Sequence, residues 1–154
     1  MFTRILVPLD FSAPSDAALE CARTVARRFG ATLRLLHVAD DPYRVLYSSD
    51  VLVPEVERLR AEIVREATGW LRDRVTEPDV TELGATVETI IGTPAGSIVE
   101  YADGNDIDLI VMGTHGRSGM SHVLVGSVTE RVVRTASCPV LTVREARKPA
   151  VKAA

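Results

Sequence analysis

The sequence predicts an α/β fold, a layered sandwich in which parallel strands alternate with helices. Short apolar runs rich in β-formers recur at 3–9, 31–38, 86–91, 108–112 and 139–143. Between them the apolar residues repeat at helical intervals instead of alternating. The corners from strand to helix carry the Ser, Thr and Pro residues that start helices. Strands joined in this way lie parallel and connect by right-handed crossovers. With 154 residues and no internal repeat, the chain is expected to form one compact domain over 1–144, followed by a mobile tail at 145–154.

Each element has its own warrant. The first strand, TRILVPL, leads into Asp10-Phe-Ser-Ala-Pro, where Ser12 is a cap and Pro14 fits the first turn of a helix. That helix keeps Ala17, Ala18, Cys21, Ala22, Val25 and Ala26 on one face and closes at Phe29-Gly30, the glycine taking the left-handed conformation. The second strand, ATLRLLHV, is followed by a turn cluster at Ala39-Asp-Asp-Pro42 and a loop to about Val53. Pro54 opens a long helix to about Val75, with Val56, Leu59, Ile63, Ala67, Trp70 and Leu71 as its apolar stripe and a solvated charged face. The third strand ends at a Gly92-Thr93-Pro94 corner, where Thr93 caps a short helix to about Asp103. The fourth strand, Asp108 to Met112, is the most apolar and is expected to be buried on both faces. Ser127-Val-Thr-Glu130 matches a capping box that starts a last helix with Val128, Val132, Val133 and Ala136 inward, before the fifth strand at Pro139 to Val143.

Composition excludes several classes. A charged fraction of 25% and a net charge of −3 argue against indiscriminate binding to nucleic acid or acidic lipid. No apolar run approaches the roughly 20 residues of a bilayer span, and Met1 leads straight into a strand with no basic and apolar leader, so a cytoplasmic location is the expectation. Cys21 and Cys138 stand in no metal-ligand or CxxC arrangement and are expected to be buried or inert thiols. His37 and His122 have no partner at ligand spacing and are taken as structural or surface residues.

The informative stretch is Gly113-Thr-His-Gly116 after the fourth strand, followed after nine intervening residues by Gly126-Ser127. Glycines at a strand exit let the backbone turn sharply, and a glycine at a helix start brings peptide N–H groups close to a ligand. The N–H groups of Ser127, Val128 and Thr129 are unpaired donors there, reinforced by the helix dipole, and such a place suits phosphate. A plainer reading has Gly113 and Gly116 shaping a loop and Ser127 only capping its helix. The P-loop pattern is absent, since no glycine precedes a lysine, and the first strand lacks the glycines of a dinucleotide fold.

These residues, with ILVPLDFS at 5–12, LLHV at 35–38, DLIVMGTHGRSG at 108–119, VGSVTERV at 125–132 and CPVLTV at 138–143, resemble the ATP-binding branch of the universal stress protein family. The resemblance covers nearly all of Phe2 to Val143 and implies a five-stranded parallel sheet in the order 3-2-1-4-5, Rossmann-like and adenine nucleotide-binding. A ligand would then sit where the chain changes direction between strands one and four. Carried over by position, the resemblance implies that Pro8, Leu9 and Asp10 line the nucleoside end, Asp10 lying near ribose or a metal-bound phosphate. Val38 would contact adenine and Met112 and Gly113 would border the nucleoside. His115, Gly116, Arg117, Gly126, Ser127, Val128 and Thr129 would surround the phosphates. Asp10 also reads as an ordinary helix-entry aspartate, His115 as an exposed histidine without a role, and Arg117 as a solvated charge.

The functional expectation is a regulatory or stress-response protein that holds ATP, with Mg or Mn bridging the phosphates through ligands the sequence leaves unassigned, and that changes its contacts with a protein partner. At most slow hydrolysis is expected, since only His115, Asp10 and Arg117 offer themselves for chemistry. An adenylyl-transferring enzyme on a related scaffold is the alternative, but the serine- and glycine-rich loop after strand one that such enzymes share is missing. A phospho-accepting receiver would want an aspartate ending strand three and a lysine ending strand five, where this chain has Ile91-Gly92 and Val143-Arg144. The short uncharged strand Pro139 to Val143 is expected at a sheet edge, and the resemblance implies a homodimer paired through it.

Overall fold

β1 (Arg4–Pro8) occupies the middle of the sheet, with Ile5, Leu6 and Val7 wholly buried. A strand covered on both faces has no polar side to show, so its sequence reads as one apolar run. The computed structural model describes residues 1–42, 53–114 and 126–144. The tail at 145–154, expected to be mobile, lies outside them.

α1 (Ala13–Phe29) begins as the sequence predicts. Ser12 is its N-cap and accepts from the Ser15 N–H at 3.4 Å, while Gly30 closes it at φ 67°. β2 (Thr32–Ala39) pairs with β1, and α2 (Val53–Arg72) follows. A helix not expected from the sequence, α3 (Glu77–Leu83), comes next. Its signal was present in Thr76-Glu-Pro-Asp79: Thr76 is the N-cap and the Asp79 carboxylate accepts from the Thr76 N–H at 2.8 Å. β3 (Thr86–Ile91), α4 (Pro94–Gly104), β4 (Leu109–Gly113), α5 (Ser127–Thr135) and β5 (Val140–Val143) complete the chain.

All strands pair in parallel, in the order β3-β2-β1-β4-β5. Successive side chains of a strand point to opposite faces, so each central strand feeds two cores. Ile5, Val7, Leu33, Leu35, Leu109 and Val111 meet Ala18, Leu19, Ala22 and Ala26 of α1, with Leu71 of α2 and Leu83 of α3. On the other face Leu6, Leu36, Ile110 and Met112 meet Ala95, Ile98 and Ala102 of α4 and Val132 of α5. The result is three layers with the sheet between.

Three expectations need correction. Val133 of α5 is half exposed, so the inward face of that helix rests on Val132 with Val128 and Ala136 beside it. Leu59 and Trp70 of α2 are also substantially exposed, leaving Val56, Ala67 and Leu71 as its buried stripe. Of the two readings of the cysteines, buried or inert, the first is only half met: both are free and half buried, and burial pushes the Cys138 thiol pKa up, against its reactivity at neutral pH.

Arg23, which the helical pattern of α1 left outside the apolar face, is 8% exposed. Its Nε donates to Asp79 Oδ1 at 2.9 Å and its Nη2 to Asp79 Oδ2 at 2.7 Å and to the Arg74 carbonyl at 2.6 Å, with Glu20 alongside. The pair joins α1 to α3. Burial works to raise the Asp79 pKa, but the bonds from Arg23 and Thr76 outweigh it and hold the carboxyl below its ordinary value.

Candidate functional site

Strands β1 and β4 are neighbours, and the chain runs from β1 to β2 on one side and from β4 to β5 on the other. Crevices of open α/β sheets lie where connections diverge in this way, beyond the carboxyl ends of the strands. A cavity of about 580 Å³ opens there. That volume is within the roughly 300–1,000 Å³ of small-molecule sites.

Three strand ends form its floor. Pro8, Leu9 and Asp10 come from β1 and its exit, Val38 with Leu36, His37 and Ala39 from β2, and Met112 with Gly113 from β4. The Leu9 N–H donates to the Leu36 carbonyl at 2.8 Å, and His37 Nδ1 lies 2.6 Å from the Leu9 carbonyl, to which it donates. These bonds continue the sheet one residue past β1 and fix the floor. One wall is the start of α5, Gly126, Ser127, Val128 and Thr129; the opposite wall is Ile63, Glu66, Ala67 and Trp70 of α2. The structure therefore gathers every described member of the predicted set into one cavity. His115, Gly116 and Arg117 lie outside the described residues.

Several reasons for these residues differ from those the sequence suggested. Gly113 takes no left-handed turn; it ends β4, and a Cβ on it would stand 2.8 Å from both the carbonyl carbon and oxygen of Pro14. Its hydrogen is needed because the first turn of α1 presses on the end of β4. The cap of α5 is Gly126, not Ser127, so the predicted capping box does not form. Gly126 has φ −68° and ψ 152°, which any residue adopts, so its conformation does not explain the glycine. Ser127 becomes the exposed first helical residue.

Thr129 is 4% exposed and its hydroxyl donates to the Gly113 carbonyl at 2.8 Å, tying α5 to the end of β4. The Gly126 N–H donates to the Thr114 carbonyl at 2.6 Å, and the helix's own ladder begins with Glu130 N–H on the Gly126 carbonyl at 2.9 Å. The N–H groups of Ser127, Val128 and Thr129 precede that first bond and carry the positive end of the dipole. Asp10 combines both of its readings. Its Oδ1 accepts from the Ser12 N–H at 3.1 Å and hydroxyl at 2.5 Å, holding the helix entry, while the residue lines the cavity.

Charge is divided across the site. Asp10, Asp40 and Glu66 bring carboxylates to the side made by β1, β2 and α2, and no lysine or arginine is among the described lining residues. Sequence reasoning missed Asp40, Ile63, Glu66 and Trp70 as lining, because Asp40 was read as part of a turn, Glu66 as part of a solvated face, and Ile63 and Trp70 as part of the apolar stripe of α2. Among the described residues no group of three or more His, Cys, Asp or Glu side chains could hold a metal ion, and no buried side-chain nitrogen or oxygen lacks a partner. No described helix is long and apolar enough to cross a membrane.

The sequence profile of the universal stress protein family matches residues 1–144. The chain belongs to the universal stress protein family. Among its relatives, universal stress protein MJ0531 of Methanocaldococcus jannaschii is 34% identical over 148 residues, covering 96% of this chain and 85% of the relative. The solved structure of MJ0577, also similar, superposes with a TM-score of 0.77 at 28% identity, covering 96% of this chain and 99% of that one. A universal stress protein solved in complex with cAMP has a TM-score of 0.60 at 25% identity, with 94% and 98% of the two chains covered. The strand order described above is the fold of these universal stress proteins.

Proposed function

We propose that the chain binds an adenine nucleotide in this cavity, ATP accompanied by Mg²⁺ or Mn²⁺, and works as a nucleotide-dependent regulatory or stress-response protein. The observation that carries this reading is the division of charge: bare peptide N–H groups and a helix dipole at Ser127 to Thr129, carboxylates on the side of β2 and α2. Phosphates belong at the first end, and the nucleoside lies over Val38, Met112, Pro8 and Leu9 with Asp10 near the ribose. His115, Gly116 and Arg117 complete the phosphate surround in this reading. A universal stress protein similar in fold was solved with cAMP, which supports an adenine ligand.

The described residues fit a cation that arrives with the nucleotide rather than a resident one. No ready-made ligand cluster forms among them, and Mg²⁺ typically takes one or two carboxylates, waters and phosphate oxygens. When bound, the ion neutralises phosphate charge; the protein's part is to seat the phosphates at the α5 amides and keep Asp10 in place through Ser12. The reading extends to a cytoplasmic domain over 1–144 and to a homodimer through the edge strand β5, where Leu141 and Thr142 are exposed.

Gly126→Val tests it. Valine accepts the φ and ψ of this position without backbone strain and is expected to put its branched side chain into the space before the α5 amides. Calorimetric affinity for Mg-ATP is expected to fall at least about a hundredfold, roughly 2.7 kcal/mol. Unchanged affinity in a variant with a wild-type melting curve refutes the phosphate assignment. Release of phosphate, AMP or pyrophosphate on the same samples separates a binder from a slow hydrolase or an adenylyl-transferring enzyme.

A further inference from the structure

Trp70 is the chain's one tryptophan, and its placement is not explained by the core. It is 42% exposed, yet it lines the cavity on the α2 side beside Ile63 and Ala67. A large ring left open to solvent gives up much of the gain that burying it would bring.

The ring is nonetheless held firmly. Phe11 meets Trp70 edge to face at 5.3 Å between centroids and lies against His37 at 4.5 Å. To reach them Phe11 takes φ 65°, a left-handed conformation that a bulky side chain rarely adopts. Arg74 lies 4.8 Å from the Phe11 ring, donates to the Trp70 carbonyl at 3.2 Å and pairs with Asp16 at 2.7 Å. Two residues before Trp70 on α2, the Thr68 hydroxyl meets that of Thr89 on β3 at 3.0 Å. A strained residue, a ring column and a backbone carbonyl held by Arg74 together position one exposed indole beside a cavity.

Resting on the nucleotide reading above, we infer that Trp70 is the outer wall of the base end, packing its indole against the nucleotide's base. Helix α2 packs on β2 and β3 and helix α5 beside β5, at the other side of the sheet, so a ligand with its phosphates at the α5 amides turns its base toward β2 and α2. Aromatic packing tolerates any base face, whereas the carboxylates of Asp40 and Glu66 on the same side accept hydrogen bonds and donate none. The wall therefore favours a base that presents an amine donor at its C6 edge, as adenine does, over one that presents a carbonyl there, as hypoxanthine does.

Because Trp70 is the sole tryptophan, intrinsic emission at 295 nm excitation reports this wall directly. ATP and AMP should shift and quench it, inorganic tripolyphosphate should not, and ITP should bind more weakly than ATP. Trp70→Leu should lower ATP affinity about tenfold with tripolyphosphate affinity unchanged, and Trp70→Phe should retain most of the affinity. Calorimetry separates the possible failures. If the wild type binds ATP but emission is unmoved and Trp70→Leu binds equally well, the wall is overturned and the nucleotide site stands. If the wild type binds no nucleotide, the site itself falls and the wall with it. A Trp70→Leu loss of tripolyphosphate affinity equal to its ATP loss also overturns the wall, since it points to a general disturbance of α2.

Discussion

Replacing Asp79 with asparagine removes one charge from a buried pair and leaves the shape of the side chain almost intact. Asp79 is 1% exposed and receives two bonds from Arg23 Nε, at 2.9 and 3.1 Å, one from Nη2 at 2.7 Å, and one from the Thr76 N–H at 2.8 Å. Breaking a buried ion pair from one side costs about 3–5 kcal/mol, because the surviving charge is stranded. Arg23 keeps Glu20 and the Arg74 carbonyl, and asparagine can still accept from Thr76. The lower end, about 3 kcal/mol at pH 7, is therefore expected, read as a shift in urea midpoint at constant slope. The thermal midpoint should fall by roughly 6–12 °C for a domain of this size. The pH dependence gives the sharper check. The folded Asp79 pKa is depressed, so its contribution is complete above the unfolded value, about 3.9, and is lost as pH falls through the folded value. Wild type and Asp79→Asn should thus differ fully at pH 7 and converge below about pH 4. A difference under about 1 kcal/mol at pH 7, or one that persists undiminished to pH 3, refutes the ion-pair account.

Two further perturbations follow from packing. Gly113→Ala puts a methyl 2.8 Å from the backbone of Pro14 and should destabilise the fold by about 1–3 kcal/mol in urea unfolding, even without ligand; an unaltered midpoint would show that α1 can yield there. In the parallel ladder the Pro139 and Val143 carbonyls accept from Ile110 and Thr114, so alternation turns the Thr142 N–H away from β4. Thr142→Pro should therefore convert the proposed dimer to monomer in light scattering while costing no bond to β4; an unchanged dimer mass would remove β5 from the interface.

Much of the architecture was legible because strand and helix periods differ and because caps are local. Ser12 and Gly30 frame α1 through bonds to near neighbours, and such chemistry is readable from a few residues. The sheet order was supplied by family resemblance, since no local pattern says which strands become neighbours. α3 escaped notice although Thr76 and Asp79 carried its signal, because seven residues offer too little periodicity to stand out. Arg23 and Gly113 were opaque for another reason: their partners, Asp79 and Pro14, are distant in the chain, and only the fold brings them together. The residues of the cavity floor were implied by the family resemblance, while the α2 wall was not, since Trp70 sits at core spacing yet faces an opening.

The contact between Gly113 and Pro14 sets a gauge. With no room for a single methyl between helix and strand, the distance across the middle of the crevice is dictated by atoms that touch whether or not anything is bound. Ser15, Met112 and Gly113 all border the opening at that station. A bulkier or slimmer guest would have to be accommodated at the flanks, where α2 and α5 stand, because the centre line has no slack to give.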